Sequence, residues 1–231
     1  MTNVLEAAAP ALCDQRRQQL AALDFGGFRV RRAAGADDLA VIAAQRAESF
    51  GRVIRNQRPV GASHDGWLDK IDHHPATGLL LLEEATTGTP IASMRVQDSR
   101  AGPVELARLV DLGALVPGRE WPLLQCARLA AVRHPQRTAA LFAFMKAVWR
   151  RALADGVQNL ILATPYWSRW MYEALQFTDL GDAAAFAHPL SGAAHRVMIF
   201  DVPSAQSRLE GAGNPLAAQL FHTQHPLLDL A

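Results

Sequence analysis

A chain of 231 residues at 25.1 kDa has room for one large domain or two small ones, and for a sizeable core. Half of it is hydrophobic and 19% is charged, which excludes a disordered tail, and a formal net charge of +1 excludes a grip on DNA or RNA by bulk charge. The two cysteines, Cys13 and Cys126, have neither the spacing of a zinc cluster nor the density of a disulfide scaffold. No apolar run approaches the ~18 residues that a membrane-spanning helix needs. The N-terminus has no basic region followed by an apolar block, so a cytoplasmic protein without an integral membrane segment is expected.

Residues 1–27 hold an amphipathic helical segment from Asp14 that ends at Gly26 and Gly27. Phe28 to Arg32 alternates apolar and basic residues, the pattern of a strand. Asp37 and Asp38 cap a helix to about Phe50, with Leu39, Ile42, Ala43 and Arg46 at helical spacing. Gly51, Pro59, Gly61 and Gly66 predict a loop over 51–66. Gly78 to Glu84 and Pro90 to Gln97 flank a Thr- and Gly-rich turn and predict a hairpin. Residues 98–121 are punctuated by glycine and proline. Leu123 to Val132 reads as a strand, and Thr138 to Asp155 as the strongest helix of the chain, with Gly156 behind it. Val157 to Ala163 is a buried strand by pattern, Ser168 to Gln176 a short helix, and 194–202 a last strand. Strands mixed with crossover helices imply an α/β fold with one mixed sheet. Residues 203–231 form a Pro- and Gly-interrupted tail whose leucines cover the core or dock a partner or membrane.

Several polar residues stand out from this frame. Asp69 and Asp72, three apart, share a face if they lie on a helical turn. Arg95 sits mid-strand with Ser93 on its face, and a buried arginine there needs Asp69 or Asp72 as partner. Gln125 and Arg128 face opposite sides of a regular strand and reach one site only across a bulge. Arg133, His134 and Arg137 flank the helix start at Thr138, where cationic side chains and the helix dipole suit an anion. Tyr172 and its rival Tyr166 are the phenols available for proton donation, and Trp149, Trp167, Trp170, Phe142 and Phe144 are the aromatics for an apolar tunnel or a plain core. The eight histidines show no metal-ligand spacing, and no metal is expected.

The block from Leu123 to Phe177 resembles the core of the GNAT acyltransferase superfamily. A strand ending in Arg128-Leu-Ala-Ala-Val132 passes through His134 and Pro135 into a long helix. A second strand follows, then Trp170-Met-Tyr-Glu-Ala-Leu-Gln-Phe177, similar to the family's Tyr-x-x-x-Gly-Phe with Gln176 in place of glycine. Upstream, Arg46 and Phe50, Trp67, the pair Asp69 and Asp72, and a hairpin strand ending in Arg95 resemble one branch. That branch contains the acyl-homoserine lactone synthases and the long-chain N-acyl amino acid synthases. The resemblance covers roughly 28–202 and sets 1–27 and 203–231 apart as an N-terminal segment and a C-terminal tail.

The resemblance implies a mixed central sheet flanked by helices, with a bulge that splays two strands into a thioester cleft. It implies transfer of a medium or long acyl group from an acyl carrier protein or acyl-CoA to the amine of a small acceptor such as an amino acid. The co-substrate is acyl-phosphopantetheine or acyl-CoA, with no permanently bound cofactor. Arg46, Phe50, Trp67, Asp69, Asp72 and Arg95 would place the acceptor, and Arg128, Arg133, Arg137 and Thr138 would hold the donor. Tyr172 would protonate the departing thiolate. Two departures qualify this. Gln125 stands where the branch's Glu-x-x-Arg-Leu strand carries a carboxylate, and an amide is no general base. Glu105-Leu-Ala-Arg108-Leu repeats that motif earlier in the chain, which makes Glu105 a second candidate. The turn at Gln136 also lacks the glycines with which coenzyme A-binding members cradle a pyrophosphate. A conventional acetyl-CoA-dependent N-acetyltransferase and a non-catalytic domain that binds a carrier protein are the competing readings.

Overall fold

A computed structural model describes residues 18–51, 67–116, 122–189 and 192–230. The expected loop after Gly51 and the first part of the N-terminal segment lie outside the described residues. Strand β1 (Phe28–Arg32) leads into helix α1 (Gly35–Gly51), then the hairpin β2 (Thr77–Glu84) and β3 (Pro90–Asp98). Two 3-10 turns, at Ser99–Ala101 and Glu105–Arg108, and the short α2 (Leu112–Leu115) fill the punctuated stretch. Strand β4 (Leu123–Ala131), helix α3 (Arg137–Ala154), β5 (Asn159–Pro165) and α4 (Arg169–Ala174) follow as the sequence suggested. Two-residue strands β6 (Thr178–Asp179) and β7 (Phe186–Ala187) precede β8 (Ala194–Asp201) and α5 (Ala205–Gly211). The two short strands left no pattern in the sequence, because two residues are too few to show a period.

The strands form one mixed sheet in the order β1-β2-β3-β4-β5-β8-β6, with β7 also on β8. Only β4 and β5 run parallel among these pairs, joined by the α3 crossover. Side-chain alternation decides what covers each face. Leu79 and Leu81 of β2 pack with Ile42 of α1, while Leu80 and Leu82 turn to the opposite face and join the large core under α3. Phe142 and Phe144 of α3 are fully buried, each contributing about 2–3 kcal/mol of apolar burial. The tail joins this core too. Leu209, Leu216, Leu220 and Leu228 are buried in it, so most of the tail's leucines cover the core, while Leu227 is exposed.

Two irregularities open the sheet. Across β3, Arg95 pairs with Ala127 and Ser93 with Ala130, so β4 carries one residue more than β3 over that span. The extra residue is absorbed at Arg128, whose φ of 55° lies in the left-handed region. Pairing of β4 with β5 runs from Leu123 opposite Asn159 to Cys126 opposite Leu162 and then ends, although β5 continues along β8 to Pro165. The two parallel strands therefore diverge beside the bulge, which is the splay the resemblance implied.

Candidate active site

On the α1 face of the sheet, charged groups from five segments converge. Arg46 of α1 donates from both terminal nitrogens to Asp72, at 2.6 and 3.0 Å. Arg95 of β3 is wholly buried and donates to Asp69 at 2.8 Å, to Asp72 at 3.1 Å, and to Glu105. Arg128 of β4 donates to Asp69 at 3.2 Å and to Glu105 at 3.0 Å. Three guanidinium groups thus share three carboxylates. Burial alone would push the Asp72 carboxyl up, but Arg46 and Arg95 carry it below the usual carboxylate range. Burial alone would pull Arg95 down, and Glu105, Asp72 and Asp69 more than reverse it. The Nε of each of the cluster's arginines is buried without a partner.

Local geometry explains the convergence. Residues around Asp69 form a turn, in which the Asp72 amide donates to the Asp69 carbonyl at 3.0 Å. The Asp69 carboxylate accepts from the Ile71 and Asp72 amides at 2.9 and 3.2 Å, which aims both carboxylates at Arg95. The bulge brings Arg128 to the side of Gln125. Gln125 does not meet Arg128, however. Its Oε1 accepts from the Leu106 backbone amide at 2.8 Å, and Gln97 accepts from the Glu105 amide at 3.0 Å. These two amide side chains pin the 3-10 turn that delivers Glu105 to Arg95 and Arg128. The carboxylate absent from β4 is thereby present on the neighbouring turn, while Arg108 of the same motif is exposed.

Where β4 and β5 diverge lies a cavity of about 480 Å³. Of the residues singled out in the sequence, Phe50, Glu105, Gln125, Arg128, Arg137, Thr138 and Tyr172 line it. Arg46, Asp72 and Arg95 lie behind Glu105 and Arg128, and Trp67 packs on Phe50 with ring centroids 6.3 Å apart. Arg133, in the turn before α3, is exposed and does not line the cavity. Trp167 and Trp170 border the cavity, whereas Trp149, Phe142 and Phe144 belong to the core under α3. Tyr166 is 81% exposed and Tyr172 is buried, which leaves Tyr172 as the phenol at the site. Burial holds the Tyr172 hydroxyl well above its ordinary value and pushes the Cys126 thiol up to about 12, so both stay protonated. Sequence reasoning missed His188 and His195, which also line the cavity. His188 follows β7, which is too short to read, and His195 lies on β8, whose strand pattern does not tell which side chains meet the cavity. Among the described residues no group of three or more His, Cys, Asp or Glu is placed to hold a metal, and no helix is long and apolar enough to cross a membrane.

This sheet, split at a bulge over a cavity, is the GNAT fold. No protein-family model and no curated protein matches the sequence, but solved structures match the fold. FeeM, an N-acyl amino acid synthase from uncultured soil microbes, superposes with a TM-score of 0.57 at 16% identity, covering 78% of this chain and 93% of its own. The CoA-dependent acyl-homoserine lactone synthase BjaI, solved with SAM and isopentyl-CoA, gives 0.55 at 18% identity, covering 82% and 91%. FdhC, a nucleotide-linked sugar GNAT, gives 0.52 at 9% identity, covering 83% and 96%. The chain has the GNAT fold, which it shares with these solved structures.

Proposed function

We propose that the protein is an N-acyltransferase. It moves a medium or long acyl group from an acyl carrier protein or acyl-CoA to the amine of an amino acid or similar small acceptor. The observation that carries this reading is the cavity between β4 and β5. Glu105 and Arg128 present the ion-pair cluster to it, and Leu129, Leu141, Trp170 and Met171 give it an apolar wall. The apolar wall suits an acyl chain and the charged side suits a zwitterionic acceptor. Glu105 and Asp69 would orient the acceptor's ammonium, and Arg46, Asp72 and Arg95 hold those carboxylates in place. Gln125 acts through Glu105, as the cap that fixes its turn. Arg137 and Thr138 at the start of α3 would meet the phosphate of the pantetheine arm, using the cationic side chain and the open end of the helix. Tyr172, kept protonated, would give its proton to the departing sulfur.

The reaction needs no covalent enzyme intermediate. The amine attacks the thioester carbonyl, the C–N bond forms, and the C–S bond breaks, with proximity supplying much of the rate. The purified protein is mixed with acyl-carrier and acyl-CoA donors of graded length and a pooled set of amino acids, and products are read by mass spectrometry. Release of free thiol with a matching N-acyl product supports the reading. Carrier protein that binds without any release points to a non-catalytic binding domain, the reading that the amide at Gln125 favours.

A further inference from the structure

The acyl-transfer reading leaves one proton without a destination. An acceptor ammonium must lose a proton before it attacks. The carboxylate oxygens of Glu105 are committed to Arg95 and Arg128, and Gln125 is an amide. The other titratable groups that line the cavity among the described residues are Arg128, Arg137, Cys126, Tyr172, His188 and His195. The first four are cationic or protonated, so the two imidazoles are the bases that remain.

Resting on the acyl-transfer reading, we propose that His195, with His188 packed against it, is the proton acceptor of the transfer. The rings lie 4.7 Å apart by centroid at the cavity edge, and Phe186 packs on His195 at 5.9 Å. His195 Nδ1 lies 2.9 Å from the Ala193 carbonyl. A carbonyl only accepts, so Nδ1 carries the hydrogen and Nε2 holds the lone pair. This bond and the Phe186 contact fix the ring, and the tautomer is the one a base needs. Burial pulls both imidazoles below their ordinary value, His188 down to about 4, so the pair is neutral at pH 7. His188 packs on His195 and feels the charges of Arg128 and Glu105. His195 and Arg128 lower its value further and Glu105 raises it, so the pair accepts one proton at a time.

The protons then balance. Nε2 of His195 takes one proton from the ammonium and returns it to solvent. The free amine forms the C–N bond. As the C–S bond breaks, Tyr172 protonates the sulfur, and the second amine proton leaves through solvent to restore Tyr172.

The test compares the full chain with its His195→Gln, His195→Ala and His188→Gln variants, measuring kcat against pH with a productive donor and acceptor. The wild type is expected to lose kcat on the acid side with a midpoint below about 6.5. His195→Gln is expected to lose about 10²-fold in kcat, with KM for the thioester unchanged and the acid limb gone. Free imidazole is expected to restore part of the rate of His195→Ala. An unchanged kcat in His195→Gln, or a drop that keeps the wild-type pH profile, overturns the proposal. Histidine nitrogen NMR of the unmodified protein decides independently of turnover. A His195 carrying its hydrogen on Nε2, or charged at pH 7, overturns the proposal without touching the acyl-transfer reading. A wild type that turns over no thioester overturns that reading, and this inference with it.

Discussion

Two of the places where the protein buries charge are built differently. On the α1 face, six charged side chains from five segments satisfy one another beside a cavity, with three Nε groups left over. On the α3 face, Lys146 is alone. Its ammonium donates to the carbonyls of Gln219 and Thr223, the latter at 2.7 Å, and meets His225 Nδ1 at 2.8 Å. Three donors meet three acceptors, all supplied by the tail. Burial still pulls Lys146 down to about 8, because its partners are neutral. A cation held by backbone carbonyls and a ring ties a segment down. Side-chain ion pairs at a cavity edge instead fix carboxylates where, in the acyl-transfer reading, an acceptor would bind. The lysine arrangement is a fastening, and the ion-pair cluster is the proposed site.

Replacing one member of each tests this contrast most severely. Arg95→Ala strands Asp69, Asp72 and Glu105 without their shared cation. It is expected to cost about 3–5 kcal/mol in denaturant unfolding and to abolish turnover. Arg95→Lys keeps the charge but not the fork, and separates folding from function if it stays folded while turnover is lost. Lys146→Met leaves two buried carbonyls unpaired and is expected to cost about 2 kcal/mol. The tail should then be clipped faster by protease, while KM for the acceptor stays as in the wild type. A raised acceptor KM would erase the distinction between the two regions.

A pH series sharpens the same comparison. The unfolded chain keeps its lysine proton up to about 10.4, whereas folded Lys146 releases it near 8. Between those values the unfolded state binds more protons, so stability rises with pH through Lys146. The stability difference between wild type and Lys146→Met should grow from pH 8 upward, and a flat difference would mean the lysine is not desolvated. Asp72 works in the opposite region. Its value is lowered by folding, so its contribution is complete above the ordinary carboxylate range and is lost as pH falls through the lowered value.

The smallest effects concern single positions. Gln125→Glu keeps an acceptor for the Leu106 amide, so unfolding should move by less than about 1 kcal/mol. If Gln125 serves only as a cap, turnover should not rise; a large gain would show that the strand position needs a base. Gln176 holds a φ of 61° after α4, where glycine relaxes the backbone. Gln176→Gly is expected to raise stability by about 0.5–1 kcal/mol, read as a higher Tm.

The long elements were legible because their signals are local. The alternation of β1, the leucines of β2 and the apolar face of α3 repeat at periods that survive in any context. The partnership of Arg95 with Asp69 and Asp72 followed from a similar constraint, since a charge in a strand interior must find a counter-charge. The tail was harder, for its leucines show apolarity but not what they touch. Lys146 gave no sign of its role, because its partners are backbone carbonyls 73 and 77 residues away.

By itself the sequence determined the order of the long strands and helices, the hairpin, the crossover and the residue types that a charged site requires. Those depend on period, turn chemistry and the cost of unpaired charge. The tertiary structure alone decided that Glu105 meets Arg95 and Arg128, that Gln125 is a cap, and that His188 and His195 face the cavity. Each of those facts depends on one bulge at Arg128 and on where unpatterned turns place their ends, and no periodicity records such positions.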